Sequence, residues 1–288
     1  MRINRWINKN TRSLAGKTVA ISGSTGGLGR ALCFHLAALG ASLVLVDRNS
    51  EKSKTLAEEI RARHPKTKIS HVRSDMTDIK SVKDAAEGLI SLGIDYLILN
   101  AGAYSIPRKI LDNGYDNVFT INFISPYYLA RRLLPSIRAR GGRIVAVGSI
   151  AHNYSETDQS DIDFRSRKKA SLVYGNAKRY LTYALRVLSD DDVIVAHPGI
   201  SFTGITNHYP KLIFALIKHP MKIIFMKPKR ASLSILYGLF ASCGSDCWIG
   251  PRILDIWGMP RVKRLRTAGS EERTRIVKIA EKIYEEIK

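Results

Sequence analysis

The chain has 288 residues and carries 46 lysines and arginines against 25 aspartates and glutamates, which gives a formal net charge of +21. This length suffices for one large domain with a full core, and no internal repeat or low-complexity linker divides the sequence. No run of about eighteen apolar residues predicts a bilayer-spanning helix, and residues 1–17 carry basic side chains without the apolar core of a signal peptide.

The first motif is an apolar run over residues 18–22, followed by a glycine-rich turn and a helical pattern. A strand, turn and helix in this order bring free backbone N–H groups and the positive end of the helix to one point, which suits a diphosphate. Two spacings fit the turn: Gly23, Gly27 and Gly29 form G-x-x-x-G-x-G, and Gly23, Gly26 and Gly29 form G-x-x-G-x-x-G. We predict a dinucleotide site with the turn residues Gly23, Ser24, Thr25, Gly27, Leu28 and Gly29.

Strand and helix patterns alternate from residue 17 onward. The predicted strands span residues 18–22, 42–46, 68–73, 96–99, 143–147, 193–196 and 252–256. The predicted helices span residues 28–39, 51–63, 79–91, 113–138, 171–188, 231–241 and 271–287. This alternation is typical of an α/β fold with a doubly wound, Rossmann-like parallel sheet and a ligand crevice at the carboxyl ends of the strands. We predict one domain over residues 17–288, preceded by a basic extension over residues 1–16.

The end of the second predicted strand bears on the choice of cofactor. Asp47 can accept hydrogen bonds from both ribose hydroxyls of an adenosine and would repel a 2′-phosphate, which favours NAD over NADP. Arg48 supports NADP, because a guanidinium at the next position can bind that phosphate. A solvated Asp–Arg pair is the third interpretation.

Small and polar residues also follow the next two predicted strands. Asp75, with its neighbour Met76, can accept a hydrogen bond from an adenine amino group. Asn100, Ala101 and Gly102 keep side chains small where the backbone must pass close to a ribose. Each group alone is typical of turns, but their position at successive strand ends predicts a cofactor site.

The spacing of Tyr174 and Lys178 predicts catalytic chemistry. Residues four apart share one helix face, so the ammonium can lie beside the phenol. A free tyrosine titrates near about 10, and a neighbouring cation lowers the pKa of the phenol toward the working range. An ordinary surface pair is the alternative for this spacing alone.

These motifs, in their order and spacing, resemble the short-chain dehydrogenase/reductase family, single-domain branch, over nearly the whole chain. The matching elements are Ser22-Gly23-x-x-x-Gly27-x-Gly29, Asp75, Asn100-Ala101-Gly102, Asn122, Ser149, Tyr174-x-x-x-Lys178 and Pro198-Gly199-x-x-x-Thr203. Leu99 and Gly148 depart from the family pattern, which often has asparagine and serine there. The long interval from Ser149 to Tyr174 is similar to that of the retinol-dehydrogenase-like group.

The resemblance implies a role for each of four catalytic residues. Tyr174 would exchange a proton with the substrate oxygen, and Ser149 would hydrogen-bond the same oxygen. Lys178 would lower the pKa of the tyrosine and hold the nicotinamide ribose, while Asn122 would hold a relay water. Thr203, beside the Pro198-Gly199 turn, would fix the nicotinamide carboxamide.

The basic and apolar stretches near the carboxyl terminus suggest further partners. We predict a substrate cap over residues 204–228, of which residues 211–227 are apolar but interrupted by basic residues and a proline. In one interpretation this segment lies on an anionic membrane; in the other it packs on the core or in a dimer. A basic cluster over residues 261–266 suggests nucleic acid, the less favoured partner because no stacking platform accompanies it.

The cysteines bear on compartment and on metal. Cys33, Cys243 and Cys247 cannot all pair and have no secretory context, so we predict a cytoplasmic protein, with membrane association as an addition. Two cysteines without a nearby histidine predict no metal site.

The predicted function is that of an NAD(P)-dependent oxidoreductase interconverting an alcohol and a ketone or aldehyde on an apolar substrate. The alternative is a nucleotide-sensing binding protein without turnover. The set of Ser149, Tyr174 and Lys178 argues against a sensor, which has no chemical need for it. The resemblance also implies a homo-oligomer.

Overall fold

The computed structural model of the chain describes residues 3–188, 191–199, 226–244, 246–265 and 267–288. Within these ranges the chain forms one sheet with the strand order β3-β2-β1-β4-β5-β6-β7-β8. The strands are β1 (Thr18–Ser22), β2 (Ser42–Asp47), β3 (Ile69–Arg73), β4 (Tyr96–Leu99), β5 (Arg143–Val147), β6 (Val193–Ala196), β7 (Cys247–Ile253) and β8 (Trp257–Arg264). The first seven run parallel and β8 runs antiparallel to β7, which confirms the predicted doubly wound α/β fold.

Helices cover both faces of the sheet. They are α1 (Ile3–Asn10), α2 (Gly27–Ala38), α3 (Ser50–Arg63), α4 (Ile79–Ser91), α5 (Asn117–Phe119), α6 (Ser125–Ala139), α7 (Ala170–Leu188), α8 (Pro228–Ala231), α9 (Leu233–Gly238) and α10 (Ser270–Ile287). A π-helical segment (Thr120–Ile124) joins α5 to α6, and a 3₁₀ helix (Ile150–Tyr154) follows β5.

The central strands are short apolar runs buried on both faces, as parallel strands between helical layers must be. Ala20 and Val44 face the core that contains α4, α6, α7 and α10. Ile21 and Leu45 face the core that contains α1, α2, α3 and α9. Because β1 lies between β2 and β4, the order of the chain reverses there and opens a crevice at the carboxyl ends of β1 and β4.

Part of the predicted basic extension packs on the domain. Trp6 of α1 is 3% exposed, and its ring meets that of Tyr237 edge to face at 5.5 Å. Leu14 is also buried, and its backbone N–H donates to Leu39 O at 2.8 Å. Residues 3–16 therefore contribute apolar side chains to the core that also contains Ile21 and Leu45.

The prediction for the seventh strand is wrong in place and in extent. The strand spans Cys247–Ile253 and not residues 252–256. Leu254 and Asp255 have left-handed φ angles of 47° and 57° and turn the chain into β8, which the sequence did not predict. The adjacent Gly250 and Pro251 interrupt the local strand pattern, and pairing with the distant β8 outweighs that local preference.

Two predicted helices differ in extent. The helix predicted over residues 113–138 begins at Asn117, because Asp116 caps it by accepting hydrogen bonds from the N–H groups of Val118 and Phe119. The helix predicted over residues 231–241 is replaced by the short helices α8 and α9. Residues 204–225 of the predicted cap lie outside the described residues.

Candidate active site

The glycine turn between β1 and α2 is shaped for close approach. Gly23 has a φ of 66°, and a Cβ there would lie 2.9 Å from Ala101 Cα, while a Cβ at Gly29 would overlap Gly23 O. The N-cap residue of α2 is Gly26, which brings no side chain to the first N–H groups of the helix. A diphosphate could therefore reach these donors directly, and the residues present fit a dinucleotide.

Asp47 joins the end of β2 to this turn. Its buried carboxylate accepts hydrogen bonds from the hydroxyl of Ser24, from the N–H of Thr25 at 3.3 Å and from the hydroxyl of Ser53 at 3.0 Å. Arg48, the next residue, is exposed. Ser53 was not predicted as a site residue, because its place near the start of α3 carries no motif.

Asn100 fastens the end of β4 to the end of β1. Its Nδ2 donates to Ser22 O at 3.0 Å and to Gly23 O at 2.9 Å. In return the hydroxyl of Ser22 accepts the N–H groups of Asn100 and Ala101 at 3.0 and 3.1 Å. These four bonds fix the two predicted cofactor turns against each other.

Asp75 and Met76 follow β3 at the same edge. Asp75 Oδ1 accepts the N–H and the hydroxyl of Thr77 at 2.9 and 2.8 Å. Burial raises the pKa of Asp75, but these bonds and the charges of Arg48 and Arg73 outweigh burial and lower it. Met76 is buried in the core and packs there, so its side chain anchors the turn to the domain.

The structure brings three of the predicted catalytic side chains together. The hydroxyl of Ser149, just past β5, lies beside the phenol of Tyr174 on α7, where a hydrogen bond from it acts to lower the pKa of that phenol. Lys178 Nζ lies 5.7 Å from the centre of the Tyr174 ring. The ring of Tyr104, a residue not predicted from the sequence, meets the Tyr174 ring edge to face at 5.3 Å.

Burial shifts the two titrating groups in opposite directions. It raises the pKa of Tyr174 to about 12, although the hydrogen bond from Ser149 acts the other way. The predicted lowering of this pKa by Lys178 is therefore wrong for the structure described, because burial outweighs it. Burial lowers the pKa of Lys178 to about 7. The phenol is therefore protonated at neutral pH and suits a proton donor to a carbonyl oxygen.

Lys178 is a buried cation with few partners. Its Nζ donates to Val147 O at 2.9 Å, and its other two N–H donors have no acceptor among the described residues. A Cβ at Gly102 would lie 3.7 Å from Nζ, so the ammonium group lies next to the Asn100–Gly102 turn that was predicted to contact a ribose. Unused buried donors at this point fit the hydroxyls of a ribose.

Asn122, the fourth predicted catalytic residue, lies in the π-helical segment. It is fully buried, and its Nδ2 donates to Val118 O and Ala103 O, both at 2.8 Å. Its Oδ1 accepts the N–H of Ala103 at 3.3 Å. Asn122 thus fixes the loop after β4 beside Lys178, and π-helical turns are frequent at functional sites.

A second network holds the Ser149 loop from behind. The ring Nδ1 of buried His152 lies 2.6 Å from Ser149 O. Arg179 Nη1 donates to His152 O at 2.7 Å, and Arg179 Nε donates to Glu272 at 2.6 Å. Burial lowers the pKa of His152 to about 4, so the neutral ring donates its Nδ1–H. No local pattern distinguished Arg179 or Glu272 from solvated charges.

The turn after β6 completes the described edge of the crevice. Gly199 has a φ of 83°, and a Cβ there would lie 2.5 Å from Met226 Cε and 2.6 Å from Ile256 O. A Cβ at Gly148 would lie 2.7 Å from a methyl group of Val195, which explains why this position carries no serine. Pro198 precedes Gly199, and Thr203 lies outside the described residues.

Comparison with known proteins gives consistent matches. The model of the short chain dehydrogenase family matches residues 17–160. An uncharacterised oxidoreductase, C736.13, of Schizosaccharomyces pombe is 29% identical over 81% of this chain and 75% of its own length. Polyprenol dehydrogenase of Mus musculus is 27% identical over 78% and 72%, and retinol dehydrogenase 13 of Homo sapiens is 27% identical over 68% and 62%.

Solved structures share the fold. An uncharacterised protein from Mycobacterium paratuberculosis matches with a TM-score of 0.71 and 23% identity, over 96% of this chain and 94% of the other. RhlG of Pseudomonas aeruginosa, solved as an NADP active-site complex, matches with a TM-score of 0.60 and 21% identity, over 80% and 93%. At these identities the likeness concerns the fold alone.

Proposed function

The chain belongs to the short-chain dehydrogenase family and is an NAD(P)-dependent oxidoreductase, and on that premise we propose which groups act and on what. The prediction of an oxidoreductase is confirmed over the alternative of a sensor without turnover. The observation that supports a catalytic centre most directly is the contact of Ser149 with Tyr174 beside the desolvated Lys178.

The proposed division of labour follows from the state of each side chain. The nicotinamide cofactor, when bound, supplies or accepts the hydride. Tyr174, protonated at neutral pH, donates its proton to the carbonyl oxygen during reduction, and Ser149 holds that oxygen by a second hydrogen bond. Lys178 has free donors for the ribose, and its charge favours the phenolate that is left behind. Asn122 fixes the adjacent loop and, in this proposal, the relay water.

For the cofactor we propose NAD over NADP. Asp47 places a buried carboxylate at the end of β2, where a 2′-phosphate would meet it. Exposed Arg48 is the competing feature. Comparison of kcat/KM for NADH and NADPH tests this, with Arg48→Gln as the matched variant. We expect a preference for NADH that Arg48→Gln leaves unchanged; a large preference for NADPH that Arg48→Gln removes would contradict it.

For the substrate we propose an apolar alcohol or carbonyl compound. Ile106, Leu172 and Tyr174 itself pack as partly buried side chains on a small apolar cluster of Val118, Phe164 and Val173 beside the reacting phenol. Two relatives are named for polyprenol and retinol, which are apolar alcohols. Oligomeric state stays a prediction.

A matched substrate panel tests the substrate class. Ketones and aldehydes of equal reactivity, with either alkyl chains or hydroxylated chains, are compared in nicotinamide oxidation assays. We expect kcat/KM to rise with each added methylene, by up to about fourfold per group if it is fully buried. Equal or better turnover of the hydroxylated series would contradict an apolar substrate while leaving the oxidoreductase chemistry in place.

A further inference from the structure

The hairpin between β7 and β8 ends in exposed apolar side chains. Ile253, Leu254 and Trp257 are 50%, 79% and 40% exposed, and together they are termed the apolar tip. Four other large apolar side chains are comparably exposed in the described part of the chain, and they are scattered singly: Leu92, Ile110, Tyr154 and Val187. Single exposed apolar residues are ordinary, whereas three within five positions form a local apolar cluster, the kind of surface that interaction sites use.

The turn that presents the apolar tip is held firmly. Asp255 accepts a salt bridge from Lys263 at 2.7 Å, and its backbone oxygen bonds the ring Nε2 of His197 at 2.8 Å. His197 is buried directly before the Pro198–Gly199 turn. The apolar tip is therefore an ordered feature of the domain, anchored to the edge of the crevice.

The position of the tip relates it to the active site. Because β7 runs parallel to β6, its last residue lies at the carboxyl edge of the sheet, the edge that also carries Ser149 and Gly199. Leu92, by contrast, ends α4 just before β4 begins and so lies at the opposite edge. A surface that meets the apolar tip would face the crevice.

Two arginines lie beside the apolar tip, in a part of the chain that is rich in basic residues. Arg230 lies 4.9 Å over the Trp257 ring, and Arg230 and Arg252 line one shallow groove with Ile253 and Trp257. The described part of residues 226–265 carries seven basic residues: Lys227, Lys229, Arg230, Arg252, Arg261, Lys263 and Arg264. It carries two acidic residues, Asp246 and Asp255, and each is paired with a cation. The tip is apolar, and its surroundings favour an anion.

We propose that the apolar tip docks this protein on an anionic lipid bilayer, with the crevice facing the membrane. Aliphatic side chains and a tryptophan enter the interfacial layer, while arginines beside them meet anionic head groups. Three side chains offer much less area than the roughly 800 Å² per partner of a standard protein interface, and nucleic acid would use stacking platforms and not aliphatic tips. Resting on the proposed function, this docking would let an apolar substrate pass from the bilayer into the crevice.

Intrinsic fluorescence offers a direct probe. The chain has three tryptophans, of which Trp6 and Trp248 are each 3% exposed, so that Trp257 is the one open to a new environment. The full chain is titrated with vesicles of mixed phosphatidylserine and phosphatidylcholine. We expect a blue shift, quenching by brominated lipid, and reversal at high salt. No shift, or the same shift with DNA or with rising protein concentration alone, would overturn the proposal.

Two matched variants distinguish the effect of the apolar tip on vesicle binding from the effect of an added negative charge elsewhere. Leu254→Asp suits the left-handed turn position, which aspartate tolerates well, and should lower vesicle binding at least tenfold. Leu92→Asp adds the same charge at the opposite edge and should change binding less than twofold. Equal losses in both variants would overturn the role of the tip.

Turnover of a water-soluble carbonyl separates this proposal from the proposed function. Leu254→Asp should leave that turnover unchanged, since Leu254 lies outside the catalytic groups. If the wild-type chain binds vesicles but turns over no carbonyl compound, the proposed function fails and the docking surface stands. If turnover is normal and vesicle binding is absent, only the docking surface fails.

Discussion

Helix α7 buries two neighbouring cations in opposite surroundings. Lys178 faces the crevice and is 2% exposed, with Val147 O as its acceptor among the described residues. Arg179 faces α10 and is 3% exposed, with hydrogen bonds to His152 O, to Thr267 O and to both carboxylate oxygens of Glu272. On the side of α7 that faces α10, termed the scaffold side, the N–H donors of Arg179 bind acceptors within the protein. On the side that faces the crevice, two N–H donors of Lys178 stay available for a ligand.

The two surroundings have opposite energetic consequences. An arginine paired with a carboxylate and two backbone carbonyls is compensated for the loss of water. A buried ammonium without a carboxylate is not, which is why burial lowers the pKa of Lys178 to about 7. Burial of Lys178 therefore lowers the stability of the folded protein, and the paired Arg179 on the side of α7 against α10 raises it.

The largest expected effect is on the scaffold side. Arg179→Met removes the donor to the carbonyls of His152 and Thr267. It leaves Glu272 with Thr157 as its remaining hydrogen-bond donor among the described residues. We expect a loss of about 3 to 5 kcal/mol in the free energy of unfolding, measured by urea denaturation. The control is Arg275→Met, whose exposed pair with Glu271 spans 3.9 Å and should contribute less than about 1 kcal/mol. An equal loss of unfolding free energy in Arg179→Met and Arg275→Met would contradict the stabilising role of the buried Arg179 network.

Lys178→Met should have the opposite sign. Between about pH 7 and 10.5 the unfolded chain binds more protons at this site than the folded chain does, so the stability of the wild type rises with pH across this window. The variant lacks that penalty. We expect a gain of about 1 to 3 kcal/mol near pH 6 that fades toward pH 10, together with loss of turnover. Destabilisation at pH 6 would contradict a desolvated ammonium.

A smaller effect tests whether the scaffold network reaches the crevice. His152→Asn can keep the hydrogen bond to Ser149 O, because the asparagine amide occupies nearly the place of Nδ1–H, whereas His152→Ala cannot. We expect kcat to fall about tenfold in the alanine variant, equivalent to about one hydrogen bond, with nucleotide KM unchanged and partial recovery in asparagine. Equal kcat in both variants would limit His152 to packing.

The sequence predicted those parts of the molecule that local pattern determines. Strands β1 to β6 are apolar runs that end in turn residues, and all six lie within one residue of their predicted bounds. The β7–β8 hairpin was missed because its pairing links residues on either side of a turn that begins with Leu254, a residue unusual at positive φ.

The site divides in the same way. Tyr174 and Lys178 were predicted from their spacing on one helix, and Ser149 from the resemblance to the short-chain dehydrogenase/reductase family. Arg179 and Glu272 are 93 residues apart, and only the folded chain shows that they meet. Partners of Asp47 such as Ser53 were missed because hydroxyl side chains at a helix start also serve as ordinary caps.

The most direct test of the catalytic assignment is carbonyl-dependent oxidation of NADH by Tyr174→Phe, with nucleotide binding measured separately. Tyr183→Phe is the matched control, because that phenol lies on the scaffold side and bonds Thr267 at 2.5 Å. We predict that Tyr174→Phe lowers turnover by about 10²-fold or more with nucleotide affinity retained, while Tyr183→Phe keeps turnover within a fewfold of wild type. Undiminished turnover in Tyr174→Phe would contradict the account.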